Sequence, residues 1–194
     1  MPVSPAGTPE RPAAGYPVTM VRRHLRDIPA APWPTGYQWR HLRVDEGDLW
    51  LEIERQADHL QTLADGSFER EFGGDLAAVP RRCFVVTDAV GAGVGTISAW
   101  YYTFRGQEYG LIHWVAVHRA HQGRGIGRAM LSLALGQLAQ WHEQALLNTQ
   151  TARLPAIGLY LDFGFQPVLD MEGAIDCWRE VAIGLPHPAL SHLR

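Results

Sequence analysis

Apolar positions along the chain keep two rhythms, one short and one near four. Val18 to Leu25 and Tyr37 to Val44 have the short rhythm of strands and are separated by the turn-rich IPAAPWPTG. The first of these could be an added edge strand. From Asp45 to His59 acidic residues gather at the start and Leu49, Ile53 and Ala57 recur every fourth position, which predicts an amphipathic helix capped near Asp45. Ser67 to Phe72 predicts a short second helix or a turn. Arg82 to Asp88 (RCFVVTD) and Val94 to Tyr102 (VGTISAWYY) are two β-rich runs that AVGAG joins as a hairpin.

A third run, Gly110 to Val117, leads into a patch of glycines. The helix predicted after it, about Gly127 to Gln144, sets Met130, Ala134, Leu138 and Trp141 on one face. A strand follows over Ala145 to Thr151, then a short helix that opens with Pro155 in its first turn and closes before Gly164. Phe165 to Leu169 is the last strand. Glu172 to Ile183 suits a terminal helix or another strand, and helix is the favoured reading. The chain has no internal repeat. Antiparallel strands followed by strand, helix, strand, helix, strand predict an α/β protein built on a mixed sheet with helices on its faces.

Residues 1–17 carry five prolines and almost nothing large to bury, so they read as a flexible arm before a single domain over 18–194. At 194 residues, 46% hydrophobic, 19% charged and net charge −3, the chain lacks the charge excess that would draw it to nucleic acid. The cluster Arg22, Arg23, His24, Arg26 reads as a solvated strand end. No apolar run approaches the roughly 20 residues of a membrane span, and the start has neither a charged n-region nor an apolar h-region. A cytoplasmic address is the expectation. Cys83 and Cys177 are far apart and form no CxxC pair, so they read as buried, reduced thiols rather than as a disulfide or a metal site.

The glycine patch carries the chemistry. In Gln122-Gly123-Arg124-Gly125-Ile126-Gly127, between a strand end and a helix start, glycines let the chain turn tightly and let a ligand touch main chain. The free amides of a first helical turn and its positive dipole end favour phosphate, so the patch suits a diphosphate. Arg124 and Arg128 add charge that could meet phosphate oxygens. The dinucleotide pattern GxGxxG fails because position 128 is Arg128, and GxxxxGK[ST] is absent. A tight turn that binds nothing is the plain alternative for an isolated glycine triplet.

The surrounding sequence resembles the GNAT superfamily of acyl-CoA N-acyltransferases. VAV followed closely by QGRGIG is similar to that family's [QR]xxGx[GA] loop, with Gln122, Gly125 and Gly127 in place. RLPAIGLYLDFGF resembles its NxxAxxLYxxxGF segment through Ala156, Leu159, Tyr160, Gly164 and Phe165, with Arg153 where the family often has Asn. The likeness is strong from about Trp100 to Val168. It implies a GNAT-like fold, a mostly antiparallel sheet splayed at its central strands, here 110–117 and 145–151. It also implies acetyl-CoA as co-substrate in that gap and no metal. Main chain at Val115, Ala116 and Val117 would pair with the pantetheine arm, and amides from Gln122 through Gly123, Arg124, Gly125, Ile126 and Gly127 to Arg128 would hold the pyrophosphate. Arg153, Ala156 and Tyr160 would complete the site.

Attack of an amine on a thioester needs a proton acceptor, an oxyanion donor and an acid for the leaving sulfur. Tyr160 is the candidate acid, since a phenol with pKa near 10 can protonate a thiolate whose conjugate acid lies near 8 to 9; by position alone it reads equally as a packed helix tyrosine. Strand alternation puts Leu111, His113, Val115 and Val117 on one face, which makes His113 either the base or a core histidine. A histidine at the matching place serves arylalkylamine acetyltransferases, which the local sequence resembles. Glu108 is the second candidate base. His118 and His121 read as loop residues beside the phosphates rather than as metal ligands. The amide of Val115 is the oxyanion donor if the strand bulges there.

The reading is an N-acetyltransferase that moves an acetyl group from acetyl-CoA to a primary amine of a small-molecule or peptide acceptor by direct attack, without nucleic acid or membrane partners. Trp33, Tyr37, Trp39, Trp50, Trp100, Tyr101, Tyr102 and Trp114 could line a pocket for an apolar amine or simply fill the core. A non-catalytic acyl-CoA-binding sensor or docking module and an N-acyltransferase for longer acyl chains are the rivals. Residues 172–183 could supply a homodimer surface.

Overall fold

The computed structural model describes residues 15–57, 60 and 62–194. Among these residues seven strands form one mixed sheet: β1 (Pro17–Arg22), β2 (Gln38–His41), β3 (Cys83–Thr87), β4 (Gly93–Phe104), β5 (Gln107–Val117), β6 (Ala145–Gln150) and β7 (Gln166–Pro167). Their spatial order is β2-β3-β4-β5-β6-β1-β7. Every neighbouring pair is antiparallel except β5 and β6, which are parallel. A parallel pair needs a crossover, and α4 (Ile126–Leu138) supplies it. The other helices are α1 (Gly47–Ala57), α2 (Ser67–Phe72), α3 (Val79–Arg82), α5 (Leu154–Asp162) and α6 (Ala174–Gly184).

Both faces of the sheet are covered, which is why Cys83 through Val86 of β3 and Val94 through Trp100 of β4 are buried without a break. On one face Ile126, Met130, Ala134 and Leu138 of α4 pack with Ile97, Ile112 and Trp178. On the other, Trp50 and Ile53 of α1 and Phe68 and Phe72 of α2 pack with Val85 and Leu111. Two glycines permit the close approach. A Cβ on Gly110 would lie 2.8 Å from Leu138, and one on Gly93 would lie 2.8 Å from Leu49. The β3–β4 hairpin closes through Asp88, whose Oδ1 accepts from the amides of Val90 and Ala92.

The favoured terminal helix is present as α6, and Ser67–Phe72 is helical as read. Other expectations are corrected. The first strand is not at an edge: β1 lies between β6 and β7, pairing Pro17 through Arg22 with Gln150 through Ala145. Arg22 is accordingly buried, and its guanidinium donates to the carbonyls of His24, Phe163, Arg26 and Asp27 rather than to solvent. Of the arm read over 1–17, residues 1–14 lie outside the described residues, whereas Gly15 is buried and the Tyr16 amide donates to Thr151 Oγ1 at 3.0 Å. Likewise, residues 58 and 59 of the first predicted helix lie outside the described residues.

Helix α4 ends at Leu138, six residues early, so Trp141 leaves the buried face and covers the Arg82 guanidinium at 4.3 Å. The last strand shrinks to Gln166–Pro167, although the Val168 amide still donates to the Thr19 carbonyl of β1 at 3.0 Å. Cys83 is buried and Cys177 half-buried, and both are free thiols. Burial pushes the Cys83 thiol up to about 12.

Candidate active site

The parallel ladder between β5 and β6 is brief. It pairs Gly110 with Ala145 and Leu111 with Leu146 and goes no further, although β5 continues to Val117 and β6 to Gln150. β6 turns its other edge to β1 over its full length. The two central strands therefore part, and a cavity of about 790 Å³ is lined by the far half of β5, the loop after it, α5 and α1.

A bulge shapes the β5 wall. Ser98 pairs with His113 and Thr96 with Ala116, so Ile97 of β4 stands opposite two residues of β5, Trp114 and Val115. Trp114 takes up the difference at φ +47°, a left-handed conformation that a bulky residue adopts only when its surroundings hold it. Beyond the bulge the alternation inverts. Ile112 and Val115 face the α4 side, whereas Leu111, Trp114 and Ala116 face the α1 side. His113 therefore does not share a face with Val115 and Val117 as alternation predicts; its ring lies 6.0 Å from Phe72 on the α1 side.

Val115, Ala116 and Val117 line the cavity, followed by Gln122, Gly123, Gly125, Ile126 and Gly127. Gly123 at φ +74° and Gly125 at φ +85° turn the chain in a region closed to most side chains, and Gly125 caps α4. Near the start of α4 the Ala129 amide donates to the Gly125 carbonyl, so the amides of Ile126, Gly127 and Arg128 precede that bond. Gln122 stiffens the loop, its Nε2 donating to the carbonyls of Val117 at 2.9 Å and Ala57 at 3.1 Å. These features fit a diphosphate held by main chain.

The side chains of Arg124 and Arg128 are engaged elsewhere. Arg124 donates to the Tyr37 hydroxyl at 3.0 Å and the Ala120 carbonyl at 2.9 Å. Arg128 pairs with Asp162 at 2.7 Å and lies over Phe163. Neither residue lines the cavity, whereas Arg119, His121 and Arg153 do. The His118 ring accepts from the Ala120 amide, and His121 Nδ1 lies 2.9 Å from the Tyr37 hydroxyl. Among the described residues no group of three or more His, Cys, Asp or Glu side chains could hold a metal ion.

Arg153, Ala156 and Tyr160 bring α5 to the opposite wall. Tyr160 is only 7% exposed, and its hydroxyl is pushed up to about 12, chiefly by burial, with Arg153 acting against the shift and Glu54 adding to it. It remains a protonated donor across the working range of pH.

Neither candidate base lines the cavity. Glu108 lies 3.2 Å from His142 Nδ1. His113 Nε2 lies 3.5 Å from Glu71 Oε2, the oxygen to which the Trp114 indole N–H donates at 3.0 Å. Those contacts hold the Glu71 carboxyl below the usual range, the His113 hydrogen bond first and the Trp114 bond after it, against the opposing effect of burial.

Two residues absent from the sequence reading stand out. Glu71 anchors His113 and Trp114. Glu54, 9% exposed, lines the cavity together with Trp114 and Tyr160. A signal for Glu54 existed, because on helical spacing it falls on the face of Trp50, Leu51 and Ala57, where an apolar residue belongs.

Comparison with known proteins agrees with this geometry. The model of the acetyltransferase (GNAT) family matches residues 19–165, and the chain belongs to that family. Among solved structures it is similar to a GCN5-related N-acetyltransferase from Sphaerobacter thermophilus, at 22% identity and TM-score 0.60 over 78% of this chain and 48% of that one. It is also similar to a GCN5-related N-acetyltransferase from Ralstonia eutropha, at 23% identity and TM-score 0.55 over 71% and 97%. A third likeness is to the NatC complex bound to Gag peptide and CoA, at 19% identity and TM-score 0.55 over 66% and 83%. The chain spans about half the length of the first structures it matches, 47% and 48%. No curated protein matches it. Acyl transfer is the class of reaction that the family supports, and no described helix is long and apolar enough to cross a membrane.

Proposed function

We propose that the chain transfers an acetyl group from acetyl-CoA to a primary amine by direct attack of the amine nitrogen on the thioester. The observation that carries this reading is the opening between β5 and β6, where one cavity joins the glycine loop to Tyr160. Its volume of about 790 Å³ suits a cofactor-sized ligand. Acetyl-CoA supplies the activated acyl group.

The chain's own groups divide the remaining work. Amides at the start of α4 bind the pyrophosphate, and edge main chain at Val115 and Val117 orients the pantetheine. The Val115 amide, next to the bulged Trp114, donates to the oxyanion without reorganising. Tyr160 protonates the departing sulfur. A phenol near 12 is roughly 3 to 4 units above a free thiol, a gap of about 4 to 5 kcal/mol, so this proton moves late. By then the sulfur carries a full charge beside the buried Tyr160, where burial raises its own proton affinity.

A thermal-unfolding scan with acetyl-CoA, CoA and NAD tests the binding half. A ligand at 100 times its Kd adds about 2.7 kcal/mol, so acetyl-CoA and CoA should raise the midpoint clearly and NAD should not. No shift would withdraw the reading. Binding without amine-dependent thiol release would make the chain an acyl-CoA sensor, and competition among acyl-CoAs of increasing length reads its chain-length preference.

A further inference from the structure

Resting on that reading, we infer that Tyr37, which lies outside the glycine loop, is a positioning residue for the pyrophosphate: its hydroxyl ties down Arg124 and His121 and so sets the loop before the ligand arrives. The β1–β2 connection is built for such a task. Pro29, Pro32 and Pro34 each fix a backbone angle, and Ile28, Ala31, Trp33 and Tyr37 pack against the core on the α4 side. The Pro29 carbonyl accepts from Ser132 Oγ of α4 at 3.0 Å, and the Pro34 carbonyl accepts from the Tyr37 amide at 3.2 Å. A Cβ on Gly125 would meet Pro34 at 3.8 Å, so the connection runs as a stiff strap along the start of α4.

The Tyr37 hydroxyl ends this strap on the loop itself. Arg124 Nη1 donates to it at 3.0 Å, while Nη2 holds the Ala120 carbonyl at 2.9 Å. One guanidinium therefore bridges the strap to the main chain that leads into Gly123 and Gly125. A guanidinium can only donate, so the phenol oxygen accepts there and its own proton goes to His121 Nδ1 at 2.9 Å. The two rings also meet edge-on at 5.7 Å. His121 lines the cavity beside Gln122 and Gly123. With Nδ1 occupied, the neutral ring carries its proton on Nε2 and turns no lone pair toward an anion in that cavity. Glycine gives the loop its shape at Gly123 and Gly125, but it also gives an unheld chain many other shapes. Holding the loop beforehand reduces the entropy lost when the pyrophosphate binds.

Calorimetric titration of the full chain with CoA and with dephospho-CoA, in wild type and in Tyr37→Phe, tests the inference. Phenylalanine keeps the ring packing and removes the hydroxyl alone, and a ligand-free melting transition as cooperative as that of wild type shows that the variant is folded. Both ligands should bind the variant about tenfold more weakly, because both carry the pyrophosphate. With Arg124→Met and His121→Phe already in place, adding Tyr37→Phe should change CoA affinity by less than about twofold, since the partners of the hydroxyl are gone. Equal affinity in wild type and Tyr37→Phe, a loss confined to CoA, or an undiminished loss in the background without Arg124 and His121 overturns the inference. Tyr37-dependent CoA binding without amine-dependent thiol release would instead defeat the acyl-transfer reading alone, and absence of CoA binding in wild type would defeat both.

Discussion

The indole N–H of Trp114 donates to Glu71 Oε2 at 3.0 Å and so fastens the bulged point of β5 to α2. Trp114 holds φ +47° at the cavity wall, and its ring meets that of Trp50 edge-on at 5.1 Å. The bulge in the cavity wall is thus held from the side of the helices, not by the sheet ladder alone.

Loss of this tie should cost stability with a defined pH dependence. The folded-state pKa of Glu71 is depressed, so its contribution is fully present above the ordinary carboxylate value of 4.5 and is lost as pH falls through the lower folded value. Because Glu71 is 37% exposed, about 0.5 to 1 kcal/mol is expected after solvent screening. Denaturant titrations of wild type and Glu71→Gln should differ by that amount at pH 7 and converge as pH falls through the depressed folded value. A constant difference across that range would contradict it.

Tyr160→Phe removes the acid while keeping the ring against Phe165, whose centroid is 6.1 Å away. Turnover should fall by about 10² to 10⁴ with acetyl-CoA affinity nearly unchanged, as read by steady-state kinetics beside a thermal-shift titration. Undiminished turnover would remove Tyr160 from the mechanism.

His113→Ala separates a base from a prop. If His113 is a prop, the shape of the pH-rate profile should survive this change, with a rate loss of less than about tenfold from a looser Trp114. Disappearance of the acidic limb would return the base role to His113.

Gly125→Ala tests the loop. A Cβ there would find Pro34 at an ordinary 3.8 Å, so the cost comes from φ +85° and not from a clash. About 1 to 2 kcal/mol of stability should be lost, together with CoA affinity. Gly127→Ala, with no positive φ and a nearest neighbour at 3.4 Å in Leu159, should spare stability and weaken CoA alone. Chemical denaturation and calorimetry read the two effects separately.

What the sequence made legible is local. The glycine loop, Pro155 in the first turn of α5 and the turn at Asp88 depend on neighbours a few residues apart, and each stands where the pattern put it. The place of β1 depends on pairing Thr19 with Asn148, a partner 129 positions away whose edge no local rhythm announces. Strand alternation misplaced His113 because one extra residue at Trp114 inverts every face beyond it. Trp141 fits the helical spacing of α4, but the helix ends three residues before it, and its ring lies against the Arg82 guanidinium instead. Glu54 was visible only as a charge in an apolar slot, and its place on the cavity wall depends on tertiary structure.

The most direct measurement is the initial rate of thiol release from acetyl-CoA by the full chain, with and without benzylamine. The account predicts amine-dependent release that requires Tyr160 and yields the N-acetylated amine in equal amount by mass spectrometry. Saturable binding of acetyl-CoA with no amine-dependent release, for benzylamine and for a panel of other primary amines alike, would contradict it.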